Sequence, residues 1–404
     1  MPNRSAPRGR RMLKSYNHTR AACYFGYVTQ GIVNNFSPLL FLIFQRQFSI
    51  SLTQVTLLVT VNFAVQLLVD CAFSKLADKI GYRVCLVGAH FTAALGLAGL
   101  SFLPRVLPSA LAGLLICTVL CAVGSGLIEV LVSPTVEACP SENKAGQMSL
   151  LHSFYCWGSA AVVLVSTGFL LLFGSANWWI LALVWACLPL ANAVYFFFVP
   201  IAKLEEEGET LPVRKLLKKP RFWLFFVLMT LAGAAELSIS QWASAFAESG
   251  LGLSKALGDM AGPCLFAVFM GLSRVLYSRY GKRLRLFLIL SGTLCIGCYL
   301  VAAFVPVPEV ALVGCALAGF AVGIMWPGIF SLAAKDLAGG GTPMFALLAL
   351  GGDLGCTAGP TLVGLLAGRF NDNIGTGIAF ALVFPALFVL LLLCFGGSPK
   401  RKEK

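Results

Sequence analysis

Ser74-Lys75-Leu76-Ala77-Asp78-Lys79-Ile80-Gly81-Tyr82-Arg83 is a short basic stretch closed by a glycine, and it lies between apolar runs at 54–76 and 84–104. Each run is long enough to cross a hydrocarbon core of about 30 Å, which takes about 20 mostly apolar residues. The stretch therefore reads as a tight turn between two membrane spans, with Gly81 easing the reversal. A second short, basic, glycine-containing turn, Arg279-Tyr280-Gly281-Lys282-Arg283, follows another apolar run at 259–279. Working outward from both turns, spans are predicted near 20–45, 54–76, 84–104, 109–133, 148–173, 177–200, 222–246, 259–279, 285–305, 309–333, 343–367 and 375–396. Each basic turn follows the second span of a set of six. The chain is thus expected to be an all-α integral membrane protein with twelve transmembrane helices in two pseudo-symmetric halves, 1–200 and 222–404, joined by a cytoplasmic linker at 201–221.

Composition agrees with a membrane chain. Hydrophobic residues make up 58% and charged residues 12%, against roughly 25% charged in soluble domains. The formal charge of +13 is spread over short connections and gathers on no single surface, so no nucleic-acid partner is expected. The 14 cysteines fall mostly inside apolar runs, as at Cys117, Cys121, Cys295 and Cys298, without the spacing of a metal cage or disulfide framework. The basic start (Arg4, Arg8, Arg10, Arg11, Lys14, Arg20) leads into an apolar run too long for a signal peptide, so that run is expected to persist as the first span.

Lysine and arginine orient the spans, because cytoplasmic loops hold their excess. Placing the N-terminus inside puts Lys75, Lys79, Arg83, Lys144, Lys203, the Arg214–Arg221 cluster, Arg279, Lys282, Arg283, Arg285, Lys335 and the basic tail in the cytoplasm, leaving Arg46, Arg105, Lys255 and Arg369 opposite. Both termini are expected inside, in a bacterial plasma membrane. Between the sixth and seventh spans, acidic residues Glu205–Glu209 precede a basic cluster, and Leu211–Lys219 suits either a short amphipathic helix on the inner leaflet or a solvated linker.

The first turn resembles the loop signature of the major facilitator superfamily through Leu76, Ala77, Asp78, Gly81 and Arg83, with Lys79 replacing an arginine and Ser74 and Tyr82 departing from the pattern. The resemblance implies a gating latch formed by Asp78, Gly81 and Arg83. Several blocks are similar to the fucose–galactose–hexose permease group within that superfamily. They are Gly31-Ile32-Val33-Asn34-Asn35-Phe36-Ser37-Pro38, then Ser51-Leu52-Thr53-Gln54, then Gly124, Gly126, Glu129 and Pro134 continuing into Ser149, His152, Phe154 and Gly158, and finally Ala235-Glu236 with Trp242. That likeness implies proton-coupled symport of a sugar-like solute. Asn35 stands where the group often has a proton-binding aspartate, so a proton has to ride elsewhere.

Acids inside spans cost roughly 2.5–3.5 kcal/mol on insertion scales and tend to face a partner or a wet cavity. Four are candidates for proton coupling: Glu129, Glu236, Asp70 and Asp353. Glu129, with Ser125 and Ser133 four residues to either side, is the favoured proton site. Glu236 has Ser240 and Ser244 on its face and suits either the proton or a solute hydroxyl. Asn62, Gln66 and Asp70 recur every four residues and share a face, which fits either a transport path or an interhelical hydrogen-bond seam. Asp353 lies among Gly351, Gly352 and Gly355, which packing explains well.

For the solute, Gln30, Asn34, Asn35, Gln241 and Glu236 offer donors and acceptors, and Trp157, Trp242 and Trp326, with Tyr24, offer faces on which a sugar can stack. Tryptophans also gather at membrane interfaces. His152 reads as a packed or capping group or as a proton relay, and Arg274 as a snorkelling side chain or the partner of an acid.

The three histidines are scattered and no phosphate-binding glycine loop is present, so an enzyme or an ATP-driven pump finds no support. No cofactor and no metal are expected. The expected partners are a small-molecule solute, a proton and the lipid bilayer, with a single chain sufficient for function. The alternatives are a proton-coupled efflux antiporter for amphipathic compounds and a non-transporting membrane sensor or scaffold.

Overall fold

The computed structural model describes residues 15–140, 144–201, 213–280, 284–337 and 340–395. Among these residues eleven helices are long and apolar enough to cross a membrane, and a twelfth span is a bent pair, Tyr16–Leu39 with Phe41–Phe48, meeting at 47°. The remaining spans in chain order are Leu52–Ile80, Tyr82–Leu100, Ala110–Glu137, Lys144–Phe173, Trp178–Phe198, Pro220–Gly250, Lys255–Tyr277, Leu284–Phe304, Pro308–Asp336, Gly341–Arg369 and Ile374–Cys394. Twelve predicted runs thus meet twelve observed spans in the same order, with several helices running past the hydrophobic stretch at one end.

Local chemistry sets the ends. Ser51 caps the second span by accepting from the Gln54 amide while Gln54 reaches back to the Ser51 N–H, a reciprocal capping box. Gly81 follows Ile80 with φ +97°, a left-handed conformation with open space around its α-carbon. The turn there is held from within its own half, because Arg83 Nη1 donates to the Phe196 and Phe197 carbonyls at 2.9 Å each. A cation at the closing end of the sixth span also complements the helix dipole. The side chain of Asp78 lies outside the described residues.

Prolines bend two spans for one reason: without an N–H, a proline leaves the carbonyl four residues earlier unpaired. Pro38 frees the Asn34 carbonyl in this way, and the chain bends directly afterwards. Pro327 frees the Gly323 carbonyl, where the tenth span breaks between Val322 and Met325. Both carbonyls are taken by side chains of other helices.

The first, second, fourth, fifth, seventh, eighth, tenth and eleventh spans enclose a central cavity. The second and eleventh spans pack closely across the boundary between the two halves. The described part of the predicted amphipathic segment forms the helix Val213–Leu217, and its Leu216 is fully buried in the protein, so this helix is held to the bundle through that residue.

Candidate functional site

The central cavity has a volume of about 110 Å³ and is walled by Tyr27, Gln30, Asn34, Gln66, Glu129, His152, Tyr155, Glu236, Arg274, Trp326, Asp353 and Cys356, with apolar Phe63 and Leu237. Most of these side chains carry hydrogen-bonding groups, and both halves supply them.

Three acids converge. One carboxylate oxygen from each of Asp70, Glu129 and Asp353 lies within 4.8 Å of the other two. Asp70 and Glu129 come from the second and fourth spans, whereas Asp353 comes from the eleventh, so the cluster bridges the halves. Gln30 Nε2 donates to Glu129 Oε2 at 2.7 Å. Both oxygens of Asp70 are buried without a hydrogen-bond partner, and the Asp353 carboxyl is a neighbour within the cluster. Two carboxyls can share a hydrogen bond only when a proton sits between them, since the ionised form only accepts. The three oxygens also have the donor chemistry to hold a hard cation.

Beside the acids runs a neutral seam. Gln66 Nε2 donates to Asn34 Oδ1 at 3.1 Å and Ser125 Oγ donates to Gln66 Oε1 at 2.9 Å. On the Asn62, Gln66, Asp70 face, therefore, Gln66 closes a seam, Asp70 joins the acids and Asn62 lines a smaller neighbouring pocket with Asn34 and Gln241. Tyr27 Oη and Ser133 Oγ are 2.8 Å apart, and the Tyr27 ring lies 5.2 Å from that of His152.

Across the cavity stand Glu236, Arg274 and Trp326. Glu236 Oε2 and Trp326 Nε1 are buried without a hydrogen-bond partner. Trp326 fits because residue 352 is glycine: a Cβ there would lie 2.3 Å from the indole. Gly355 meets the Thr230 carbonyl equally closely, so the glycines flanking Asp353 press the eleventh span onto the seventh and tenth.

Other predicted solute contacts lie elsewhere. Asn35 donates to the Gly31 carbonyl at 2.9 Å and to Ser159 Oγ at 3.0 Å, in the seam between the first and fifth spans. Trp157 is 43% exposed on the outside of the bundle. Tyr24 stacks on Phe154 at 4.6 Å. Trp242 is fully buried, donating through Nε1 to the Pro360 carbonyl at 2.9 Å with Phe41 against its ring. Gln241 Nε2 donates to the freed Asn34 carbonyl at 3.1 Å, tying the seventh span to the first.

A seal between the halves lies at the end of the bundle that carries Arg46, and composition gave little notice of it. Arg46 pairs with Glu248 at 2.9 Å. Asp259 accepts from Thr167 Oγ1 at 2.9 Å and from Ser244, and pairs with Lys255 at 3.1 Å. Lys255 Nζ in turn donates to the Leu39 carbonyl at 2.6 Å. Glu248 and Asp259 sit at span edges, where an acid reads as an ordinary solvated residue.

A family model for the Major Facilitator Superfamily matches residues 23–360. Among solved structures, the chain is similar to the Escherichia coli fucose:proton symporter FucP, with a TM-score of 0.65 at 17% identity over 94% of this chain and 99% of that one. A second FucP structure, in the outward conformation, gives a TM-score of 0.64 over the same shares. A bacterial homologue of the human lysosomal transporter Spinster, inward-facing and occupied, gives 0.73 at 15% identity over 96% of this chain and 98% of that one. No curated protein sequence matches significantly. Twelve spans around a polar chamber and a family match across most of the length lead to one conclusion: the chain belongs to the Major Facilitator Superfamily and is a multi-pass membrane transporter, not an enzyme.

Proposed function

We propose that this transporter moves a small polar, sugar-like solute by proton-coupled symport, with alternating access between its two halves. The observation that carries the reading is the cluster of Asp70, Glu129 and Asp353 at the cavity wall. It draws acids from both halves, so rocking one half against the other changes the distances between the carboxyls. A proton shared across the boundary is therefore bound in one arrangement and released in another, which is what coupling requires. The hydrogen-bonding cavity wall favours a polar solute over the amphipathic cargo of an efflux antiporter.

The halves in this scheme are 1–200 and 222–404, linked through 201–221, with both termini cytoplasmic in a bacterial plasma membrane. The lysine and arginine distribution supports that orientation. In that orientation the contacts around Arg46, Glu248, Lys255 and Asp259 join the halves at the extracellular end. The asparagine at 35 fits as well: the proton site has moved from the first span to the second, fourth and eleventh.

The test is uptake of radiolabelled neutral and acidic sugars into proteoliposomes with and without an imposed pH gradient. Accumulation driven by the gradient, with protons consumed in proportion, is the expected result. Solute movement indifferent to the gradient, or the absence of movement for every sugar tested, overturns the symport reading.

A further inference from the structure

Arg274 lies in the eighth span and its guanidinium reaches the central cavity. Its hydrogen bonds go to neutral acceptors: Nε to the Gly323 carbonyl at 3.3 Å, one terminal nitrogen to Cys156 Sγ at 3.5 Å and the other to Met270 Sδ at 3.6 Å. Sulfur is a weak acceptor. Glu236 is near enough to feel the charge, yet the ion pairs among the described residues do not include Arg274. An arginine here does not shed its charge, because its ordinary pKa lies above about 12. The protein thus keeps a permanent cation at the wall of a chamber inside the bilayer, with Glu236 in the same chamber but no ion pair to it among the described residues.

The position is built, because Gly323 lets the eighth and tenth spans touch. A Cβ at that residue would lie 2.8 Å from Ser273 Cβ and 2.9 Å from the Met270 carbonyl. Pro327, lacking an N–H, leaves the Gly323 carbonyl for Arg274 Nε. This contact fixes the root of the guanidinium and leaves its terminal nitrogens with sulfur partners only. Two further orphans share the chamber, Glu236 Oε2, an acceptor, and Trp326 Nε1, a donor. The acid cluster is no ion-pair partner either, since no ion pair among the described residues joins it to Arg274.

We infer that Arg274 binds a carboxylate on the transported solute, which makes the substrate class small hydroxylated carboxylates, that is, sugar acids. The planar fork of the guanidinium matches a carboxylate through two parallel N–H donors. Glu236 accepts from a solute hydroxyl, and the Trp326 indole N–H donates to a solute oxygen. This assignment rests on the transport reading above but is tested separately from it.

The experiment measures thermal stabilisation of the purified full chain in detergent by D-glucuronate, D-glucose and D-glucose 6-phosphate, followed by counterflow of labelled glucuronate in proteoliposomes. Glucuronate is expected to stabilise saturably where glucose does not. Arg274→Gln should weaken glucuronate binding roughly tenfold to a hundredfold, the range for a lost charge-assisted contact. Arg274→Lys, which keeps the charge and most of the volume, should recover part of the loss and guards against a folding defect in the glutamine variant. Equal response to glucose and glucuronate, response to the phosphate ester alone, response to none of the three, or unchanged affinity in a folded Arg274→Gln protein overturns the inference. Proton-driven uptake of neutral sugar with no glucuronate binding overturns it while leaving symport standing; saturable glucuronate binding without any gradient-driven uptake does the reverse.

Discussion

Glu129 accepts from Gln30 on one side and faces two other acids on the opposite side, so it touches both the uncharged wall of the chamber and its charged cluster. Glutamine at this position keeps the shape and the contact with Gln30 but cannot release a proton. Glu129→Gln is expected to abolish gradient-driven accumulation, by a factor of ten or more, while exchange of labelled for unlabelled solute continues within about threefold of the parent; comparing the two rates in one proteoliposome preparation checks this. Asp259 offers a contrasting case. It is 1% exposed and holds Lys255, Thr167 and Ser244 together. Asp259→Asn removes the charge that Lys255 answers, at a cost on the order of 2 kcal/mol to the sealed state. Faster hydrogen exchange across 243–264 would record that loosening, and an unchanged rate would count against the seal. Residue types alone pointed to Gln30, Asn34, Glu129 and Glu236 because polar groups in apolar runs stand out. Trp157 and Trp242 carried no such mark of direction, since periodicity does not say which helix a large ring will meet. Arg274 was visible as a snorkelling side chain or the partner of an acid, and that its hydrogen bonds go to a carbonyl and two sulfurs is a fact of packing.

At the level of helices, the second and eleventh spans run antiparallel along the boundary. Thr60 and Thr361 hydroxyls are 2.7 Å apart, and Asp70 meets Asp353 further along the same pair. A Cβ on Gly364 would lie 2.2 Å from Thr56 Oγ1 and 2.6 Å from Trp242, so the glycine is what lets this contact close. Gly364→Leu should prise the sealed end apart and favour the opposite facing state; accelerated exchange in 52–60 and 361–369, with the overall thermal midpoint lowered by only a few degrees, is the expected signature. A Gly364→Leu protein as protected as the parent would mean that the spans do not separate there. Helix order and approximate bounds were legible from hydropathy, because a bilayer demands long apolar runs. The breaks at Leu40 and Gly323 were less so, although Pro38 and Pro327 stood in plain view. A proline announces a freed carbonyl, and only the folded chain reveals that Gln241 and Arg274 take them.

For the whole molecule, an even number of spans puts both ends on one face, and the proposed orientation, drawn from the basic loops, makes that face cytoplasmic. A fluorescent protein fused after Lys404 should fold and glow in cells, while alkaline phosphatase at the same point should stay inactive; the reverse pattern would invert the orientation. The twofold plan was legible because each half repeats a basic turn after its second span. The chamber was legible only as a set of unplaced polar residues, because which of them meet depends on how two bundles face one another.

The closure near Arg46 is electrostatic, and its outermost pair is wet: the Arg46 side chain is 71% exposed while its Glu248 partner is 15% exposed. Mobile ions weaken such a pair over a Debye length that falls from about 10 Å at 0.1 M to about 3 Å at 1 M. Brine on the side that this pair faces should therefore hasten the resetting of the empty carrier, whereas the same concentration on the other side, where the ion pair among the described residues is the less exposed Arg221 with Asp336, should act less on that step. A transporter fastened in this manner is a one-sided salt gauge, its turnover reporting the ionic strength of the compartment that its clasp touches.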